Sequence, residues 1–196
     1  MEAKRGQVGW GFWLLYVLAS TLGMLVGFSL GFLLTTIIPE AFGKLLGFSV
    51  FGIVLGTTVG LMQWIVLRQR LSGTGLWILA SAVSGLGIFQ AGVFFGFSTS
   101  YESLAALFGW IGIVALAGLV TGILQWIVLK GRVSRAGWWV PASVVGWVLS
   151  VMGIRALPSG VDDSDALWGM VMTGLVLGAA TGGVLVWLLR QPAQEV

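Results

Sequence analysis

Gly118-Leu119-Val120-Thr121-Gly122-Ile123-Leu124-Gln125-Trp126-Ile127-Val128-Leu129-Lys130-Gly131-Arg132 decides the architecture, because it occurs nearly twice. Its copy runs from Gly56 to Arg70 at a constant offset of 62 residues and without a gap. From Gly56 to Ser72, nine of seventeen positions are identical to their counterparts 62 residues later, among them both glycines and the Gln-Trp-Ile-Val-Leu run. A weaker third echo runs from Gly178-Ala179-Ala180-Thr181-Gly182 to Leu189-Arg190, with Leu185 in place of the glutamine.

The solvent around this stretch follows from composition. The chain is 58% hydrophobic and 9% charged, with a mean hydropathy of +1.02, whereas soluble proteins carry about 25% charged residues. These values predict an all-α integral membrane protein, in which the net charge of +3 is a topology signal and not a nucleic-acid footprint. Cysteine and histidine are both absent. Their absence removes disulfides, thiolate metal sites and the usual acid–base group of neutral pH.

Outward from the repeated stretch, six apolar segments are expected to span a membrane: 10–37, 45–67, 76–97, 104–129, 137–156 and 166–189. Each is near the ~20 residues that cross about 30 Å of hydrocarbon as a helix. The first is too long for a removable signal peptide and reads as a retained helix. The whole chain, 1–196, reads as a single transmembrane domain with short tails. Lys4, Arg5, Arg68, Arg70, Lys130, Arg132, Arg135 and Arg190 fall on one side of this layout, against Lys44 and Arg155 on the other. The positive-inside rule then predicts cytoplasmic N- and C-termini. Trp10, Trp13, Trp64, Trp77, Trp126, Trp138, Trp139 and Trp187 stand towards the basic ends of the segments and read as an interfacial aromatic belt.

The repeat extends to the odd-numbered segments. Ala19-Ser20, Ala80-Ser81 and Ala142-Ser143 stand 61 and 62 residues apart, and Glu40, Glu102 and Asp162 each precede a glycine by seven residues. The unit is therefore a helical hairpin of about 60 residues, with copies at approximately 9–70, 71–132 and 133–190. A unit that crosses twice returns in the same orientation, which is the parallel class of repeat. A pseudo-threefold bundle of six transmembrane helices is the expected arrangement.

At 100° per residue, Gly56, Gly60 and Gln63 share one stripe of their helix, as do Gly118, Gly122 and Gln125. With Gly178 and Gly182, these glycines are the expected packing positions, since small residues four apart let membrane helices approach closely. The stripes are expected to face inward. Gln63 and Gln125 are expected to bond to each other, to Ser20, Ser81 and Ser143, to backbone or to water, as helix glue or as ligand-binding groups. Glu40, Glu102 and Asp162 would form an outer acidic ring, either hydrated helix-end acids or a cation-selecting ring.

No Asp, Glu, Lys or Arg stands in the middle third of any segment, where coupled transporters usually place one. Serines have no histidine to activate them, and metal-ligand clusters and phosphate loops are missing from the sequence. No enzyme activity, cofactor or metal is expected. The repeated hairpin ending Gln-Trp-Ile-Val-Leu with basic residues resembles bacterial multi-span membrane proteins as a class, without a named family. The resemblance implies a prokaryotic cell membrane, either a bacterial inner membrane or an internal one. The expected function is a non-catalytic membrane protein: an accessory or assembly subunit of a membrane complex, or a binder of an apolar ligand such as lipid, quinone or pigment. The alternative is a small permease or channel for a cation or small solute. The expected partners are the lipid bilayer and other membrane subunits or an apolar ligand, with no nucleic acid.

Overall fold

The computed structural model describes residues 8–39, 43–95, 104–155 and 164–191. Six helices make up these residues: α1 Trp10–Thr36, α2 Gly43–Leu67, α3 Leu76–Phe95, α4 Leu104–Leu129, α5 Trp139–Arg155 and α6 Ser164–Arg190. There is no strand among the described residues. Five helices are long and apolar enough to cross a membrane, which fits a multi-pass membrane protein. In α3 the apolar helix Leu76–Ala91 is shorter.

Helix is the form these sequences must take in hydrocarbon, because only intrasegment hydrogen bonds then satisfy the backbone. Hydroxyls scattered through the apolar runs are absorbed in the same way. Ser20 donates to Tyr16 O at 2.9 Å, Ser81 to Trp77 O at 2.9 Å and Ser143 to Trp139 O at 3.0 Å, each bonding back by four residues. The connections need left-handed backbone. Gly73 and Gly131 supply it at φ +70° and +79°, and Arg135 adopts φ 58° just before a short 3-10 turn at Ala136–Trp138. Pro141 follows in the first turn of α5, where its missing N–H is no loss.

The helices close a ring in chain order: α1 packs on α2, α2 on α3, α3 on α4, α4 on α5, α5 on α6, and α6 back on α1. Arg190 ties the closure by donating from Nε to Val8 O at 2.8 Å. At the next connection, Arg132 reaches from the end of α4 to the α2–α3 turn, donating to Ser72 O at 3.3 Å and Gly73 O at 2.9 Å. We call the end of the ring that holds Val8, these turns and Arg190 the basic end.

Apolar side chains cover the outside, among them Leu14, Leu22, Ile65, Leu79, Ile127 and Val145. The interior has two layers. Tyr16, Leu67, Trp77, Leu129, Trp139 and Leu185 pack together near the basic end. Met24, Phe51, Leu55, Val59 and Leu177 form a second cluster further along the helices.

Glycine governs how closely the ring closes. The stripe of each even-numbered helix lies against the odd-numbered helix that follows it in the ring. A Cβ on Gly56 would run into the Ser81 carbonyl, and one on Gly60 would lie 2.6 Å from Ser81 Cβ. On α4, a Cβ at Gly118 would stand 2.8 Å from Val144 Cα, and one at Gly122 3.0 Å from Val140 Cα. On α6, a Cβ at Gly178 would stand 2.9 Å from Ser20 Cβ and one at Gly182 3.0 Å from Tyr16 Cδ1. The stripes therefore face the neighbouring helix across a seam, not the centre of the ring as the sequence reading had them. A bare backbone gains most where it meets another backbone, and the central space is too wide for that.

Candidate functional site

Where the even and odd helices meet near the basic end, the polar groups of the interior form two matching bridges. Gln63 Nε2 donates to Ser20 Oγ at 3.1 Å, and Gln63 Oε1 accepts from Trp77 Nε1 at 3.0 Å. Gln125 Nε2 donates to Ser81 Oγ at 3.1 Å, and Gln125 Oε1 accepts from Trp139 Nε1 at 3.0 Å. Each amide thus joins three helices: its own, the preceding odd helix through serine, and the following odd helix through tryptophan. All of these side chains are buried.

The two glutamines do not bond to each other; serine and tryptophan take their place. Serine is reached because its hydroxyl, after donating to the backbone, still has lone pairs to accept with. Tryptophan was the partner the sequence reading missed. Trp77 and Trp139 are 0% and 1% exposed, with rings 5.3 Å apart and edge to face, whereas Trp10 and Trp138 are 77% and 60% exposed. The first two do not belong to an interfacial belt; burial obliges their indole N–H groups to find acceptors inside. A signal was present in the sequence: Tyr16, Trp77 and Trp139 each stand four residues before Ser20, Ser81 and Ser143.

The position equivalent to these bridges between α6 and α1 is different. Leu185, fully buried, stands where a glutamine would reach Ser143, and Tyr16 stands where tryptophan would donate. Tyr16 is 0% exposed and its Oη has no hydrogen-bond partner. The Thr181 hydroxyl lies beside it, but donates to Leu177 O at 2.6 Å without meeting Tyr16 in hydrogen-bonding geometry. Thr121, 8% exposed, likewise has an unpartnered Oγ1.

Both hydroxyls line a central cavity of about 60 Å³ to which all six helices contribute. Its polar wall includes Tyr16, Gln63, Thr121 and Gln125, while Met24, Leu55, Val59 and Leu177 form an apolar wall. Gln90 lies outside it, donating to Leu45 O at 3.2 Å and to Ser49 Oγ. Glu40, Glu102 and Asp162 lie outside the described residues, and the ring expected of them with them. Among the described residues, no group of three or more Asp or Glu side chains is placed to hold a metal ion.

Cations and tryptophans meet on the surface of the basic end. Arg68 lies 4.8 Å from the centre of the Trp64 ring, Lys130 5.3 Å from Trp126, and Arg135 6.0 Å from Trp187. Such pairs hold charge and indole together at the depth where a membrane surface would lie. No protein-family model, curated protein or solved structure matches the chain.

Proposed function

We propose that the chain is a non-catalytic polytopic membrane protein, an accessory or assembly subunit of a larger membrane complex. The observation that carries this reading is the use of Gln63 and Gln125, each bonded at both nitrogen and oxygen to neighbouring helices. Polar groups fixed in this way act as interhelical glue. In this reading residues 1–196 are one transmembrane domain, three parallel hairpins around a pseudo-threefold axis, with the basic end and both termini in the cytoplasm. The recurring glycine-on-serine seams and the same burial class at each position of 61–70 and 123–132 support the repeat.

An apolar ligand remains part of this reading, placed on the outside. A cavity of about 60 Å³ is well below the roughly 150 Å³ of a cavity that takes benzene. A lipid, quinone or pigment ring would accordingly lie against the exposed leucines and isoleucines of the ring's outer face. Solubilisation in a mild detergent followed by native mass spectrometry is expected to recover a membrane subunit or lipid at fixed stoichiometry. A bare monomer that recovers neither overturns the reading.

A second reading is favoured by one observation, the cavity walled by all six helices. It makes the chain a small permease whose path leads from Glu40, Glu102 and Asp162 towards Gln63 and Gln125. Reconstituted liposomes should then pass a cation or small solute, and Glu102→Gln with Asp162→Asn should lower that flux. Flux that ignores both substitutions removes the acids from the path.

A further inference from the structure

We propose that the central cavity is a binding site for a small uncharged molecule with one hydrogen-bonding oxygen and a short apolar body. Four features of the cavity carry this assignment. Its polar end offers two unpartnered hydroxyls, Tyr16 Oη and Thr121 Oγ1, on side chains that are more than nine-tenths buried. Each can both donate and accept. The remaining polar groups of the wall are already engaged: both glutamine amides bridge helices, and Ser81, Ser84, Ser143 and Thr181 donate to backbone carbonyls.

Charge is the second feature. No Asp, Glu, Lys or Arg lines the cavity among the described residues. An ion would enter a low-dielectric space with no counter-charge, at a cost that two hydroxyls do not offset. The occupant is therefore neutral.

Size is the third. A space of about 60 Å³, against the roughly 10–15 Å³ that one water requires, takes a molecule of about four non-hydrogen atoms. The fourth feature is the opposite wall. A cluster of waters filling the same space would need two to four polar partners for each molecule, and Met24, Leu55, Val59 and Leu177 provide none. A hydroxyl or carbonyl oxygen set between Tyr16 and Thr121, with two or three carbons against Leu55 and Leu177, satisfies both ends. This binding is independent of whether any solute crosses the membrane.

The test uses fluoroethanol, an uncharged probe of four non-hydrogen atoms, and fluorine NMR on the purified chain in nanodiscs. Empty nanodiscs measure partitioning into lipid. A saturable bound population is expected only with the protein. Tyr16→Phe and Thr121→Val should each weaken binding roughly five-fold, the worth of one ordinary hydrogen bond. Neither should lower the melting temperature, because the hydroxyl each removes has no protein partner. Val59→Ile should abolish binding by filling the apolar wall while leaving both hydroxyls in place. Fluoroethane, which lacks the oxygen, should bind at least about ten-fold more weakly. The proposal is overturned if fluoroethanol shows no saturable population beyond the empty nanodisc, if fluoroethane binds equally well, or if both hydroxyl variants bind as the wild type does.

Discussion

Gln63 shows how a single amide in an apolar interior acquires importance out of proportion to the strength of its bonds. A hydrogen bond between membrane helices contributes about 0.6 kcal/mol on average, but a buried donor left alone costs about 1–3 kcal/mol. Gln63→Leu leaves Trp77 Nε1 without its acceptor, and should destabilise the protein by about 1–3 kcal/mol in reversible unfolding. Adding Trp77→Phe removes the stranded donor. The double variant should therefore lose less than the two single losses combined, and strict additivity would show that the bridge carries no coupling. Leu185 offers the reverse experiment. Leu185→Gln brings an amide to the position from which Ser143 and the free Tyr16 Oη are within reach by analogy with the other two bridges. It should cost little stability despite burying a polar group, whereas the same change in a Tyr16→Phe background should cost about 1–3 kcal/mol. Equal effects in the two backgrounds would refute a third bridge.

Among the elements, the seams between even and odd helices set the shape of the ring. Their closeness rests on glycine meeting backbone, which is why bulk there is expensive and bulk one position away is not. Gly122→Leu drives a side chain into Val140, whose Cα stands 3.0 Å from even a bare Cβ. Overpacking of this kind costs typically about 1–3 kcal/mol, while Leu124→Ile on the same helix should cost less than about 1.5 kcal/mol. Thermal unfolding of the two variants in one detergent compares them directly, and similar losses would contradict the seam. The connections matter as well. Arg132 holds the α2–α3 turn through Ser72 and Gly73 with two nitrogens of one planar fork. Arg132→Lys keeps the charge but loses the fork, and should cost about 1 kcal/mol at this exposed site. Unchanged stability would reduce Arg132 to a topology signal.

For the whole molecule, closure of α6 on α1 distinguishes a ring from an open row of hairpins. A Cβ at Gly174 would lie 2.5 Å from Thr21 Cα, so Gly174→Leu must part the two helices. Its effect should be a newly accessible cysteine in a Thr21→Cys background, read by a membrane-permeant maleimide; a cysteine that stays protected would mean that closure does not depend on this contact. The sequence alone determined the helices, their approximate ends and the pairing of glycine with glutamine on one stripe. These properties depend on local hydropathy and on a 100° helical step, both of which are written in consecutive residues. Even so, local spacing misassigned Trp77 and Trp139 to a belt, because the same positions near a helix end serve an interface or an interior depending on which way the helix is turned. That rotation is set by backbone contacts between helices, as are the direction of the stripes, the bridges from Gln63 and Gln125 to residues 14 to 44 positions away, and the solitary Tyr16 hydroxyl. Only the tertiary structure decided them, since a cavity is the space left when six helices have satisfied their seams, and no single segment encodes it.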